Sequence, residues 1–236
     1  MTSNWSPESA TKAYLRALKM GKRGKEPDVG EFISALAAGN NAQLMVTVSS
    51  NSGNAKSTVP ALAAAAHQTG GRTICILPGI HHIHQTKQAL GPCANGVEFV
   101  VGDDARTLLL NEYKGADFVV IDCNIDGYKG LFGAAKEGLI KDGNIKGVVV
   151  GYNAFHKESW CGGGAEEDIT HFLPIGEGLF VTKTGGAGKV HGGGDVGCRR
   201  RSRWVVKIDE CTGEEHVFRA SFERGKAYDG YLSTQR

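Results

Sequence analysis

The chain has 236 residues, 41% apolar and 22% charged, with a formal net charge of +2. That length allows one large domain, the apolar content suits a packed core rather than disorder, and so small a charge argues against nucleic acid as a partner. No apolar run approaches the roughly 18 residues of a membrane span and no signal-peptide pattern opens the chain, so a soluble, cytoplasmic protein without a membrane partner is expected.

Ser6-Pro7-Glu8-Ser9 predicts a helix start, with Ser as cap and Pro in the first turn, running to about Met20 before Gly21 stops it. Lys19, Lys22, Arg23 and Lys25 form a basic linker. A second helix follows Pro27-Asp28, places Phe32, Ile33, Leu36 and Ala37 on one face, and closes at Gly39-Asn40-Asn41. Strands and helices then alternate. Strands are predicted at residues 43–49, 72–77, 97–101, 118–122 and 145–151, and helices at 56–69, 83–90, 104–112 and 127–138. Repeated units on a spacing of about 25 residues predict a Rossmann-like α/β fold, mostly parallel, with helices on both faces of the sheet. A further strand is expected at 179–184, then a glycine-rich tract at 185–197 with little to bury, then a β-hairpin whose strands, 204–209 and 215–219, flank Glu210-Cys211-Thr212-Gly213-Glu214. The expected organisation is a single domain over 1–236, with an N-terminal helical arm (1–27), a Rossmann-like core (28–184) and a glycine-rich tract with a C-terminal β-hairpin extension (185–236).

The stretch Phe118-Val119-Val120-Ile121-Asp122, followed by Cys123-Asn124-Ile125-Asp126-Gly127-Tyr128, carries the most information. It reads as a buried parallel strand delivering an acid to the carboxyl edge of the sheet, where ligands sit in open α/β folds. A core strand ending in a solvated turn has the same pattern. Three histidines in four positions, His81, His82 and His84, follow the second strand. His81 and His84 share a helix face, and a neutral imidazole exchanges protons near pH 7; a solvated helix N-terminus would read the same way. His156 follows the fifth strand and would form an acid–base pair with Asp122 if neighbouring strand ends bring them together, or else is a hydrogen-bonded loop residue. Asp103 and Asp104 after the third strand suit either a ligand contact or a helix N-cap.

Other constellations fall short. The six cysteines contain no C-x-x-C pair, and no acid or Cys stands at ligand spacing from the histidines, so no metal is expected there and free thiols in a reducing compartment are. Gly53-Asn54-Ala55-Lys56-Ser57 ends like a phosphate-binding loop, but Ser50 and Ala55 stand where glycines are required; Gly185-Gly186-Ala187-Gly188-Lys189 lacks a following Ser or Thr. Arg199-Arg200-Arg201, Arg203 and Trp204 suit phosphate or RNA, yet the near-neutral chain favours a solvated face.

Three stretches carry a family resemblance: Lys25-Glu26-Pro27 with Glu31-Phe32-Ile33-Ser34-Ala35-Leu36; Ala116-Asp117 running through Asp122 to Asp126-Gly127-Tyr128; and Leu173-Pro174-Ile175-Gly176-Glu177-Gly178-Leu179. In this order, over roughly residues 25–184, they resemble class I S-adenosylmethionine-dependent methyltransferases, in particular the caffeoyl-CoA O-methyltransferase-like group. The chain looks closer still to a plant family of unknown function described as methyltransferase-like. The resemblance implies S-adenosylmethionine as cofactor, held by Ser49, Ser50, Asn51, Gly53, Asp103 and Asp122, and a small plant metabolite as substrate; it is compatible with a homodimer. The residues offered for catalysis are His81, His82, Asp122 and His156.

The departures are specific. The loop after the first strand lacks the family's acid and first glycine, and the second strand ends in Leu77-Pro78-Gly79 with no carboxylate for a ribose diol. The family's metal ligands fall on Asp122, Asn153 and Ala154, and its loop lysine on Ile125; Ala cannot coordinate and Asn lowers the ligand charge. Metal-free methyl transfer with His81 or His156 taking the acceptor proton is therefore one expectation. The alternatives are a repurposed fold doing cofactor-independent acid–base chemistry, as an isomerase or cyclase, and a non-enzymatic ligand- or partner-binding protein.

Overall fold

The computed structural model describes residues 5–20, 28–141, 144–145, 147–155, 169–184, 201–208 and 215–222. The chain divides into two compact units, one of residues 1–157 with 164–187 and the other of residues 158–163 with 188–236.

The first unit opens with helices α1 (Pro7–Met20) and α2 (Val29–Gly39). Asp28 caps α2 in a capping box, its side chain and that of Glu31 satisfying each other's backbone donors. Strand β1 (Leu44–Val48) leads to α3 (Ser52–Thr69), β2 (Arg72–Leu77) to α4 (Ile80–Leu90), β3 (Val97–Val101) to α5 (Ala105–Leu110), and β4 (Phe118–Asp122) to α6 (Tyr128–Gly138). Two short antiparallel strands, β5 (Ile140–Lys141) and β6 (Asn144–Ile145), precede β7 (Gly147–Tyr152), and β8 (Ile169–Leu173) with β9 (Leu179–Thr184) completes the sheet.

That sheet has seven strands in the order β3-β2-β1-β4-β7-β9-β8. The first five are parallel; β9 runs antiparallel to β7, and β8 to β9. The Rossmann-like, mostly parallel expectation holds, and Leu173–Leu179 is the turn of the last hairpin, as the resemblance implied. Strands buried on both faces need apolar side chains throughout, which is why β4 and β7 were legible as runs. Met45, Phe118, Val120, Val148 and Val150 pack with Ile33, Ala37 and Leu62 of α2 and α3. On the opposite face a Cβ on Gly151 would lie 2.6 Å from Cζ of Phe132 in α6. Asp117 ties the strand starts together by accepting from the backbone N–H groups of Gln43 (2.9 Å) and Leu44 (3.1 Å).

Several boundaries differ from expectation. Helix α3 begins at Ser52 rather than 56 because Asn51 caps it, its side chain accepting from Asn54 N–H at 2.9 Å. Helix α4 begins at Ile80 rather than 83, placing all three histidines inside it. The second unit contains a two-stranded antiparallel sheet of β10 (Arg201–Ile208) and β11 (Glu215–Phe222), longer than the predicted strands, with Val206 opposite Val217. The glycine-rich tract 185–197 and the turn 210–214 lie outside the described residues.

Candidate functional site

The chain reverses direction across the sheet between β1 and β4: β2 and β3 lie on one side of β1, and β4 and β7 on the other. Loops leaving β1 and β4 must therefore diverge at their carboxyl ends, opening a crevice. A cleft of about 550 Å³ lies there. The β1 loop contributes Ser49 and Ser50, the β2 end Leu77 and Pro78, the β3 loop Asp103 to Arg106, and the β4 loop Asn124 to Gly127.

Asp122 closes β4 behind this cleft. It is fully buried, and among the described residues it forms no ion pair. One carboxylate oxygen, Oδ2, accepts from Ser50 N–H (3.1 Å), Ser50 Oγ–H (2.5 Å) and Asn54 Nδ2 (2.7 Å). The other, Oδ1, accepts from Asn124 N–H (3.0 Å) and Asn153 Nδ2 (2.9 Å). Burial by itself raises the carboxyl pKa, but the hydrogen bonds from Ser50, Asn124, Asn153 and Asn54 outweigh it and hold the group below its ordinary value. Asn153 adopts a left-handed backbone (φ 59°), one of two non-glycine residues to do so among those described. Beside this cluster Ser49 Oγ and the Tyr152 hydroxyl share a hydrogen bond of 3.2 Å. Burial first, and then the Asp122 charge, push the Tyr152 phenol well above its ordinary value, so it stays protonated.

The sequence candidates separate clearly. Ser49, Ser50 and Asp103 line the cleft. Asn51 serves as the α3 cap and Gly53 lies in that helix's first turn. Asp104 lines the cleft and also caps α5, accepting from the Thr107 hydroxyl and from Thr107 N–H at 3.1 Å; those bonds, the hydroxyl's first, hold its carboxyl below the ordinary value. His81 and His82 sit in the first turn of α4 with ring centroids 3.8 Å apart, outside the cleft lining. His82 Nδ1 is buried without a partner among the described residues. His156 lies outside the described residues, and so does any pairing with Asp122. Asp122 is not among the residues lining the cleft and has both carboxylate oxygens engaged, and Asn153 turns its amide nitrogen toward it. Ala154 is buried. No group of three or more His, Cys, Asp or Glu able to hold a metal occurs among the described residues.

Sequence reasoning missed Asn124 and Asp126. Asn124 looked like an ordinary loop residue, and Asn54 entered only as the end of the loop, residues 49–54, expected to hold the cofactor; only the pairing of adjacent strand ends gives the two a shared acceptor. Asp126 belonged to the quoted β4 stretch, but its place on the cleft wall depends on the loop's path.

A family model described as a protein of unknown function (DUF1442) matches residues 1–220. The chain belongs to the DUF1442 family. No curated protein matches it. Among solved structures, a methyltransferase from Podospora anserina bound to SAH is similar at a TM-score of 0.51 and 14% identity, covering 77% of this chain and 90% of that one. A candidate caffeoyl-CoA O-methyltransferase from Staphylococcus aureus is similar at 0.51 and 17% identity, covering 76% and 93%. A cofactor-bound protein from MTB is similar at 0.50 and 18%, covering 75% and 90%. This DUF1442 chain thus has the fold of these three proteins, two of them described as methyltransferases, with no helix among the described residues long and apolar enough to cross a membrane.

Proposed function

We propose that the chain is a methyltransferase-like protein that binds S-adenosylmethionine in the switch-point cleft and acts on a small molecule without a metal ion. The cleft carries this reading: its volume of about 550 Å³ lies within the 300–1,000 Å³ usual for small-molecule sites. That two proteins sharing the fold are described as SAH-bound or cofactor-bound adds support. The residues present suit the cofactor on the β1 and β3 sides, where Ser49, Ser50 and Asp103 supply polar groups. At the end of β2 the wall is Pro78, so the carboxylate on that side comes from Asp103, one strand over.

When bound, the cofactor supplies a methyl group on a positively charged sulfur. The chain's own part is to orient its ligands and to receive a proton from the acceptor. The carboxylates of Asp103, Asp104 and Asp126 on the wall outnumber its one cation, Arg106, and favour a cationic ligand. In this reading Asp126, on the β4 loop that lines the cleft, takes the acceptor proton; His81 and His156 are the alternatives offered by the sequence. The acceptor is a small metabolite, of a plant if the sequence resemblance extends to source.

Calorimetric titration with S-adenosylmethionine and S-adenosylhomocysteine tests the reading. Micromolar binding, about −8 kcal/mol, is expected. Absence of heat with both ligands would sink it and turn attention to cofactor-independent acid–base chemistry.

A further inference from the structure

An ionised carboxylate has about four lone-pair positions. Asp122 receives five donors, three on Oδ2 and two on Oδ1. The acceptor-only carboxylate also dictates that Asn54 and Asn153 present their nitrogens to it. A divalent cation would have to break at least one of these bonds, and it would find no second oxygen ligand in Asn153, whose amide is turned inward, and none in the Ala154 side chain. The five donors come from segments following three adjacent strands: Ser50 and Asn54 after β1, Asn124 after β4, Asn153 after β7. Two of those residues, Ser50 and Asn124, line the cleft.

We propose that Asp122 is the positioning residue of the cleft, its saturated carboxylate tying Ser50 to Asn124 and excluding a metal ion from that position. Only the ligand-affinity consequence rests on the cofactor reading. Acting through Ser50 and Asn124, Asp122 presents their remaining polar groups to a ligand without touching it.

The full chain serves for three measurements. In a Mn²⁺ titration followed by electron paramagnetic resonance, the free-ion signal is expected to be unaffected by wild type up to about 1 mM, a concentration that would fill even weak oxygen sites. Asn153→Asp, which sets a second carboxylate against the first, is expected to bind Mn²⁺. Binding by wild type that disappears in Asp122→Ala overturns the metal exclusion. In amide hydrogen exchange, Asp122→Ala is expected to accelerate Ser50 and Asn124 at least about tenfold more than Val46 and Ile74 in the strand interiors; uniform acceleration, or none, overturns the positioning role. In S-adenosylhomocysteine titration, Asn153→Gly keeps the left-handed backbone, removes one donor and lies off the cleft; it is expected to weaken affinity about tenfold. Unchanged affinity in Asn153→Gly overturns the coupling. Failure of wild type to bind S-adenosylhomocysteine overturns the cofactor reading instead, and the other two measurements still decide the role of Asp122.

Discussion

Asp122→Asn changes one atom type and almost no volume, so its cost isolates the hydrogen-bond balance. An amide at position 122 has one oxygen and one NH₂. With the oxygen on the three-donor side, it still accepts from Ser50 and Asn54. The NH₂ then faces Asn124 N–H and Asn153 Nδ2, which occupy 3.0 and 2.9 Å positions around the native Oδ1. Asn153 can rotate its amide and offer oxygen, but the Asn124 backbone cannot, and one buried donor left unpaired costs about 1–3 kcal/mol. Loss of the charge weakens the three remaining bonds, since hydrogen bonds to charged groups contribute roughly 1 kcal/mol more than neutral ones. These losses come to about 4–6 kcal/mol, and the smaller desolvation cost of a buried amide than of a buried carboxylate offsets part of them, so the expected destabilisation is about 3 kcal/mol, or a fall of roughly 6–12 °C in Tm for a chain of this size. Urea unfolding at pH 7 measures it. The pH dependence has a definite sign. The folded Asp122 carboxyl lies below its ordinary 3.8, so its contribution is fully present above the unfolded value and is lost as pH falls through the lowered folded value. The gap between wild type and Asp122→Asn should therefore stay constant down to about pH 4 and narrow only below it. A difference under about 0.5 kcal/mol at pH 7 would refute the saturated-carboxylate reasoning.

Asn51→Ala removes the α3 cap and should destabilise by about 1 kcal/mol in chemical denaturation, with Asn51→Asp or Asn51→Ser restoring most of it; an unchanged midpoint would show that the first turn is held by other contacts. Burial pushes the Cys75 thiol up to about 12, so at pH 8 it carries almost no thiolate. Mass spectrometry after iodoacetamide treatment of the folded chain should find half-buried Cys93 modified and Cys75 untouched until urea is added, whereas rapid modification of Cys75 would show that β2 opens locally.

Much of the architecture was legible because its elements are locally consistent. Apolar runs such as Phe118–Ile121 mark strands buried on both faces, and Gly70, left-handed at φ 72°, marks the end of α3 where any larger residue would be strained. Helix starts were less legible. Residues 52–55, Ser-Gly-Asn-Ala, have weak intrinsic helix preference, and a cap at Asn51 together with packing of Ala55 against Cys75 and Leu77 extends the helix over them. The histidine cluster drew attention by composition, yet α4 carries it outside the cleft wall.

The sequence by itself determined the alternation of strands and helices, and hence a parallel sheet whose acid-ended strand β4 would meet the carboxyl edge. It also determined what β2 lacks there, because the absence of a carboxylate at Leu77-Pro78-Gly79 needs no coordinates. Only the tertiary structure decided what Asp122 does. Its donors are separated from it along the chain by up to 72 residues, and they converge because β1, β4 and β7 are adjacent in the sheet. A buried carboxylate must find hydrogen-bond partners or lose its charge; which partners it finds depends on strand order, a property of the fold that no local pattern of residues contains.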